Sequence, residues 1–198
     1  MTVLTSVGAI ALSYVVGSIP TGLWLGLKLR GIDIREHGSR NIGATNTMRV
    51  LGKTLGAIAL VCDMAKGLVP VLVFGRAAAW EYLPLACGLA AVLGHTASLF
   101  LRFGGGKGVA TGAGMFLGLC PVPSLIAGAV LVVMVAITRM VSVGSMSAAL
   151  TLCAVLYLTD TPWPLRMVAT FVACLVLWRH RTNVQRILKG EESRLGRT

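Results

Sequence analysis

Seven apolar runs separated by short polar segments restrict the fold of this chain more than any other feature of its sequence. The runs cover residues 3–29, 55–74, 82–103, 109–120, 124–137, 143–158 and 164–178. A hydrocarbon core about 30 Å thick needs about 20 helical residues to cross it, and only helices or closed barrels satisfy the backbone there. We therefore expect an all-α, polytopic transmembrane helix bundle. Several runs are short, so seven spans are expected and five are the alternative.

The composition agrees with a membrane protein. Hydrophobic residues make up 56% of the 198 residues and charged residues 13%, with a mean hydropathy of +0.81, whereas a soluble domain needs more polar surface. The length predicts a single domain over residues 1–198. The net charge of +11 comes from bases between the apolar runs, which favours lipid headgroups and phosphorylated substrates over nucleic acid.

The distribution of basic residues predicts the orientation of the chain. With the N-terminus outside, fifteen Lys and Arg residues, the last of them Arg197, fall in inner segments, and only Arg76 and Arg166 fall in outer ones. Basic residues concentrate on the cytoplasmic side of membrane proteins. We therefore place the C-terminus in the cytoplasm and expect the polar loops described next to be cytoplasmic.

The first polar segment, residues 33–49, is dense in hydrogen-bond donors. Its small hydroxyl and amide side chains are those of Ser39, Asn41, Thr45 and Asn46. A glycine-bearing loop of this kind exposes backbone N–H groups to a phosphate or acyl-phosphate oxygen, and Arg35 or Arg49 could hold a phosphate through two hydrogen bonds. The alternative is an ordinary polar loop between two spans.

Two further segments have chemistry suited to phosphate. Residues 103–111 contain a run of glycines around a lysine, formed by Gly105, Gly106, Lys107 and Gly108, followed by Thr111. This is not a Walker A loop, because Gly108 follows the lysine where Ser or Thr is required. The alternative is a flexible hinge.

In the basic tail, His180, Asn183 and Arg186 are spaced to share one helix face, and the alternative there is an anchor for anionic lipid.

Asp63, Lys66 and His95 are ionisable residues that lie well inside apolar runs, away from their ends. A charge at membrane depth costs about 2.5–3.5 kcal/mol on insertion scales, so such residues have a partner or a role. Asp63 and Lys66 are three residues apart and either pair with each other or direct Lys66 towards a substrate pocket. A lone histidine such as His95 is more often an interhelical hydrogen bonder than a catalyst.

Several patterns are absent. None of the three histidines begins an H-x-x-x-x-D sequence, no G-x-S-x-G elbow is present, and no His, Cys or Asp cluster has the spacing of metal ligands. The five cysteines lie in or at the ends of apolar runs without C-x-x-C spacing, which predicts buried thiols rather than disulfides. A small transporter of a phosphorylated metabolite is the alternative to an enzyme, although we find no internal repeat.

Ordered sequence blocks give the chain a family resemblance. The blocks are Gly17-Ser-Ile-Pro20, Asp33-Ile-Arg35, Gly38-Ser39, Gly43-Ala-Thr-Asn46, Arg49, Asp63-x-x-Lys66-Gly67, Gly94-His95, Gly105-Gly-Lys-Gly-Val-Ala-Thr111, Arg139-x-x-Ser142, His180-x-x-Asn183-x-x-Arg186 and Gly190-x-Glu192. Over nearly its whole length the chain resembles the bacterial acyl-phosphate-dependent glycerol-3-phosphate acyltransferases. Three positions depart from that pattern: Arg40 stands where glycine is usual, Ser98 where proline is usual, and Gly104 where lysine is common.

The resemblance implies transfer of a fatty acyl group from acyl phosphate to the 1-hydroxyl of glycerol-3-phosphate, which yields lysophosphatidic acid and phosphate in phospholipid biosynthesis. It also implies a bacterial inner-membrane enzyme with seven spans and no metal or other cofactor, and we expect a monomer whose partners are its substrates and membrane lipids. The expected catalytic residues are Ser39, Asn41, Lys107, His180 and Asn183. The expected substrate-binding residues are Thr45, Asn46, Arg49, Lys66, His95, Gly105, Gly106, Gly108, Thr111, Ser142 and Arg186. We expect the departing phosphate to take the hydroxyl proton, with His95 or His180 as the alternative acceptor.

Overall fold

The computed structural model describes residues 2–196, which contain ten α-helices and no β-strand. The helices are α1 (Thr2–Ser18), α2 (Thr21–Arg30), α3 (Ala44–Leu51), α4 (Lys53–Leu72), α5 (Leu83–Thr96), α6 (Val109–Leu119), α7 (Pro121–Thr138), α8 (Val141–Leu158), α9 (Trp163–Arg179) and α10 (Arg181–Leu188). The predicted all-α fold is confirmed. Arg197, which was included in the count of inner bases, lies outside the described residues.

The apolar runs all form helices, but these differ in length. Four helical stretches are long and apolar enough to cross a membrane: Lys53–Arg76, Leu83–Leu101, Pro121–Thr138 and Val141–Leu158. The first apolar run forms α1 and α2, a pair bent by 45° that makes a fifth candidate span. The alternative of five spans agrees with these lengths. The seven-span topology, in which the shorter α6 and α9 also cross, stays a prediction.

The break between α1 and α2 follows from Pro20. Proline has no N–H to donate to the preceding turn, and it disfavours helical geometry in the residue before it, Ile19. Helix α1 therefore ends at Ser18, and the carbonyl groups of Ser18 and Ile19 lie at the break between the two helices. The side chains that bind them belong to the candidate site described below.

The chain divides into two compact units, residues 1–119 and 120–198. In the first unit, α1 packs against α5, and α4 packs against α3, α5 and α6. In the second unit, α8 packs against α7 and α9, and α10 contacts α9. The prediction of a single domain stays a prediction.

Glycines allow the helices of the first unit to approach closely. A Cβ atom at Gly94 of α5 would collide with the Tyr14 carbonyl of α1, and one at Gly67 of α4 would collide with the Thr111 carbonyl of α6. Helices in membranes pack largely through such small residues, because lipid gives no hydrophobic drive for helix association. These contacts fix α4, α5 and α6, whose polar ends form the candidate site.

Candidate active site

Asn46 holds the first polar loop together. Its Oδ1 accepts a hydrogen bond from the Ser39 backbone N–H at 2.8 Å. Its Nδ2 donates to the carbonyl groups of Ile34 at 2.9 Å, His37 at 3.2 Å and Asn41 at 2.8 Å. The side chain is buried, and its polar atoms are engaged with the loop itself. The structure therefore gives Asn46 a scaffolding role, while the predicted contact with substrate stays a prediction.

The other residues predicted in this loop lie near its surface. Ser39 and Asn41 are half-buried, and Thr45 and Arg49 are exposed. Asn41 Oδ1 accepts from the Gly43 N–H at 2.9 Å, in the turn that precedes α3. The loop rests on buried Leu23, Ile34 and Ile42. Because of this anchorage, the polar groups of the loop are presented by an ordered backbone.

Arg35 and Arg49, the two arginines that could bind a phosphate, differ in their contacts. The guanidinium of Arg35 donates to the Asp33 carboxylate, with Nη2 to Oδ2 at 2.5 Å and Nε to Oδ1 at 3.0 Å. The side-chain hydrogen bond from Arg35 is the main reason why the pKa of Asp33 is lowered. Arg49 lies in α3 beside Gly38, where a Cβ would meet its Cδ at 3.3 Å. Arg49 is thus the better candidate for a phosphate.

Arg40 has a left-handed backbone, with φ of 59°. This explains why glycine is usual at the position, because a Cβ atom destabilises left-handed geometry by about 1–2 kcal/mol. We expect Arg40→Gly to increase the free energy of unfolding by about 1 kcal/mol, as measured by thermal unfolding in detergent. Arg40→Ala is the control, since it removes the charge but keeps the Cβ. An equal gain from alanine would contradict the backbone explanation.

The glycine segment, residues 104–108, lies on the end of α5. The Gly106 N–H donates to the His95 carbonyl at 3.0 Å, and a Cβ at Gly106 would collide with His95 Nε2. A Cβ at Gly105 would collide with the carbonyl oxygens of His95 and Thr96. The glycines are therefore required for close backbone approach, which favours a shaped loop over the flexible hinge considered from the sequence.

The predicted residues after this segment lead into α6. Gly108 has a positive φ of 80°, and α6 begins one residue later. The half-buried Lys107 thus lies at the N-terminal end of that helix. Thr111, in the first turn of α6, is fully buried, and its Oγ1 has no hydrogen-bond partner among the residues that the structure describes. Buried hydroxyl groups normally have a partner, so Thr111 Oγ1 is available to a bound ligand or water.

A turn connects α5 to the glycine segment through Ser98. The Ser98 N–H donates to the Gly104 carbonyl and the Phe103 N–H donates to the Ser98 carbonyl, both at 2.8 Å. The Ser98 hydroxyl donates to the Ser18 carbonyl at 2.5 Å. In the sequence Ser98 stands out only as a departure from the family pattern, and its hydrogen bond to Ser18, eighty residues away, has no local signal.

The intramembrane ionisable residues are brought together in the first unit. Lys66 Nζ lies 2.7 Å from Asp63 Oδ1 and donates to the Ile19 carbonyl at 2.7 Å. His95 Nδ1 lies 4.0 Å from the same carboxylate oxygen. All three side chains are buried. The mutual pair expected from the three-residue spacing is thus present, and the predicted substrate contact of Lys66 stays a prediction.

In the second unit, the Glu192 carboxylate accepts hydrogen bonds from three of the predicted site residues. Its Oε1 accepts from Ser142 Oγ and from Asn183 Nδ2, both at 2.6 Å, and its Oε2 accepts from Arg186 Nε at 3.0 Å. Asn183 and Arg186 therefore share a face of α10, as predicted. His180 is buried at the junction of α9 and α10, with Nδ1 2.8 Å from the Val176 carbonyl. Glu192 itself was known from sequence only as the end of the last motif.

We expect the Glu192 cluster to make stability depend on acidic pH. Burial is the largest single influence and by itself raises the pKa of Glu192, but the hydrogen bonds from Ser142 and Asn183 and the charge of Arg186 together outweigh it and lower the pKa. A carboxyl whose pKa is lower when folded stabilises the fold above its ordinary pKa, about 4.5, and loses that contribution as the pH falls through the folded-state value.

Thermal unfolding of wild type and Glu192→Gln in detergent between pH 3 and pH 7 tests this expectation. At pH 7 the variant should unfold with a free energy lower by about 1–3 kcal/mol, since three donors lose a charged acceptor. The difference should shrink as the pH falls below about 4.5. The exposed neighbour Glu191 supplies the control, because Glu191→Gln should follow the wild-type curve. A difference that is unchanged at pH 3 would contradict the assigned ionisation.

The fold and these residues define a class of protein: a multi-pass helical membrane protein whose polar loops carry a glycine cradle with a lysine, a donor-rich loop with an arginine, and a His–Asn–Arg segment. The sequence model described as glycerol-3-phosphate acyltransferase matches residues 7–190. The chain belongs to the glycerol-3-phosphate acyltransferase family.

Relatives and solved structures agree with this membership. The chain is 45% identical over 194 residues to a glycerol-3-phosphate acyltransferase of Desulforudis audaxviator, covering 98% of both chains. It is 40% identical over 185 residues to one of Fusobacterium nucleatum, covering 93% of this chain and 95% of the relative. A crystal structure of PlsY, an integral membrane glycerol 3-phosphate acyltransferase in its glycerol 3-phosphate form, matches with a TM-score of 0.91 and 34% identity over 96% of each chain. The lysophosphatidic acid form of PlsY matches with a TM-score of 0.87 over 96% of this chain and 95% of that one.

Proposed function

We propose that this chain transfers a fatty acyl group from acyl phosphate to the 1-hydroxyl of sn-glycerol-3-phosphate. The acceptor and the product, lysophosphatidic acid, follow from the family and from the two PlsY forms, and they decide against the transporter alternative. The identity of the donor does not follow from these comparisons, and acyl phosphate is proposed on a separate observation. The observation that carries it is the glycine segment of residues 104–108, which lies on His95 with Lys107 at the start of α6.

The glycine segment has the features of a phosphate cradle. Its backbone is fixed by the close approach of Gly105 and Gly106 to the end of α5. The first turn of a helix has N–H groups without partners inside the helix and carries a partial positive charge, and both favour an anion at the start of α6. Lys107 adds a full positive charge at the same point. A donor that carries its own phosphate suits this arrangement.

The reaction needs positioning more than acid–base chemistry. Acyl phosphate is already activated: the 1-hydroxyl oxygen of the acceptor attacks the acyl carbonyl carbon, the ester bond forms, and the bond from that carbon to the phosphate oxygen breaks. Holding both substrates aligned supplies a large part of the rate enhancement, and cations stabilise the developing charge on oxygen. Lys107, the Gly105–Gly108 backbone, Ser39, Asn41 and Thr45 are the groups proposed to hold the acyl phosphate.

The hydroxyl proton is proposed to pass to the departing phosphate. Because Gly106 covers His95 Nε2 and Nδ1 faces the Asp63 carboxylate, the His95 ring is engaged within the fold, which supports phosphate as the acceptor. The proposed ligands of the glycerol-3-phosphate phosphate in the first unit are Arg49 and Lys107. In the second unit His180 and Asn183 stay predicted catalytic residues, and the Glu192 carboxylate sets the orientation of the Asn183 amide.

An apolar groove beside the α1–α2 break is the proposed place for the first methylene groups of the acyl chain. It is lined by Ile19, Trp24 and Leu25, with Lys28 at one side. The ring of Trp24 meets that of Phe100 edge to face at 5.4 Å, so the groove adjoins the turn that precedes the glycine segment. An acyl phosphate held by that segment would have its chain directed into apolar surroundings.

The location in the cell is proposed from the charge distribution. The chain would be a monomer in the bacterial plasma membrane, with the N-terminus outside and the C-terminus in the cytoplasm. This orientation exposes both polar loops to water-soluble glycerol-3-phosphate. Cysteine labelling at exposed Thr54 and Trp163 in intact cells tests the orientation, because the first site should be protected and the second labelled.

The donor is tested with purified protein and labelled glycerol-3-phosphate. With palmitoyl phosphate we expect labelled lysophosphatidic acid and one equivalent of phosphate, and with palmitoyl-CoA we expect no product. Product from palmitoyl-CoA alone would overturn the donor assignment while leaving the acyltransferase activity intact. The absence of product with either donor would overturn the activity itself.

A further inference from the structure

Two carbonyl groups at the α1–α2 break are bound by side chains from elsewhere in the first unit. Ser98 Oγ donates to the Ser18 carbonyl at 2.5 Å, and Lys66 Nζ donates to the Ile19 carbonyl at 2.7 Å. Both donors are buried. Because a buried polar group without a partner costs about 1–3 kcal/mol, these bonds tie the break to α4 and to the turn before the glycine segment.

Asp63 lies at the centre of the same region. Its Oδ1 is 2.7 Å from Lys66 Nζ and 4.0 Å from His95 Nδ1, and only 2% of the residue is exposed. A buried carboxylate without a cation is strongly destabilising. Lys66 supplies that cation, and the carboxylate in turn faces the imidazole of His95.

The His95 ring links Asp63 to the glycine segment. On one side the ring faces the carboxylate, and on the other its Nε2 lies directly beneath Gly106, where even a Cβ would collide. The His95 backbone carbonyl also accepts from the Gly106 N–H at 3.0 Å. The imidazole ring is therefore packed between the Asp63 carboxylate and the backbone of the glycine segment.

We infer that Asp63 is a positioning residue for acyl transfer, which acts through Lys66 and His95 to fix the shape of the glycine segment. Lys66 binds the Ile19 carbonyl at the α1–α2 break, and the His95 ring packs beneath Gly106. The Asp63 carboxylate contacts both side chains and so links the break to the glycine segment. Asp63 does not itself contact a substrate. The inference rests on the proposed function in one respect, namely that the glycine segment binds the phosphate of the donor.

The first test compares Asp63→Asn with wild type in acyl transfer. Loss of the carboxylate charge frees the His95 ring and leaves Lys66 without its anion, so we expect kcat to fall about 10- to 100-fold, the effect of misplacing a substrate by an ångström or less. The KM for glycerol-3-phosphate should change less than about threefold, because misalignment of the donor affects the chemical step. Asp63→Glu, which keeps the charge, should recover most of the kcat.

A matched control is available in Ser13 of α1. It is fully buried, and its Oγ donates to the Ala9 carbonyl at 2.7 Å. Ser13→Ala removes a buried polar contact outside the network, so it should lower thermal stability slightly and leave kcat unchanged. If Asp63→Asn also lowers only stability, with wild-type kcat for the folded protein, Asp63 is merely structural and the inference is overturned.

Hydrogen exchange supplies a readout that does not depend on activity. In Asp63→Asn we expect amide exchange of residues 104–108 to rise at least tenfold, while exchange in α3 stays at the wild-type rate. Should Asp63→Asn fail to fold, Asp63→Asn/Lys66→Met removes both charges, a change that buried pairs often tolerate, and the same rise is expected. Unchanged exchange in the folded variant overturns the inference. If wild type fails to use acyl phosphate, the proposed donor is wrong, and the exchange result still decides the role of Asp63.

Discussion

Replacing Gly105 by alanine is expected to lower acyl transfer at least about 100-fold, since displacement of a bound substrate by about 1 Å can have that effect. The added Cβ would collide with the carbonyl oxygens of His95 and Thr96. These are backbone atoms at the end of α5, and α5 is itself held against α1 at Gly94. Neither partner can rotate away, so the glycine segment must move. Gly105 does not have a positive φ, so the loss would come from this collision and not from backbone strain.

Gly104→Ala is the matched control for this variant. Gly104 is exposed, and a Cβ there would meet the Leu101 carbonyl at 3.1 Å, a contact that a small shift relieves. The measurement is kcat and KM for acyl phosphate in both variants, together with thermal unfolding. We expect Gly104→Ala to stay within about threefold of wild type. Equal losses in the two variants would show that the segment needs flexibility at both positions and not close approach at one.

Lys107→Ala is expected to lower kcat by about 100- to 1,000-fold, the usual effect of removing a group that stabilises charge in the transition state. The lysine lies at the start of α6 beside the glycine cradle, where the phosphate of the donor gains negative charge as the acyl bond breaks. Lys107→Arg keeps the charge but changes its geometry, so we expect partial activity. Acyl transfer from palmitoyl phosphate by purified protein measures both variants.

Lys53 provides the corresponding control. It is an exposed lysine at the start of α4 in the same unit, and it has no place in the proposed machinery. Lys53→Ala should therefore keep nearly wild-type kcat and KM, which separates the specific role of Lys107 from a general effect of net charge on anionic substrates. Full activity in Lys107→Ala would remove the central assignment of the proposed mechanism.

The parts of the fold that depend on local pattern were predictable from sequence. Apolar runs long enough for the bilayer predicted helices because lipid leaves the backbone no other partner. The three-residue spacing of Asp63 and Lys66 predicted an ion pair as one of two alternatives, since residues so spaced meet on one helix face. The same spacing predicted that Asn183 and Arg186 lie together, as they do around Glu192.

The parts that depend on distant contacts were not predictable. The Asn46 amide donates to carbonyl groups as far back as Ile34, and residue type does not distinguish a scaffolding amide from a binding one, so the predicted contact of Asn46 with substrate stays a prediction. Glu192 was marked in the sequence only as the end of the last block, and its contact with Ser142 had no local signal because the two residues are fifty positions apart. The count of spans was also ambiguous, because several apolar runs are shorter than the roughly 20 helical residues that the bilayer core requires.

The turn from Ser98 to Gly104 restricts which residues can replace Ser98. Proline, which is usual at position 98 in the family, has neither the N–H that binds the Gly104 carbonyl nor the hydroxyl that binds the Ser18 carbonyl. Replacing Ser98 by proline would thus remove two hydrogen bonds at once. Positions 98 and 104 are joined by the first of these bonds, so we expect the effect of a substitution at one position to depend on the residue at the other.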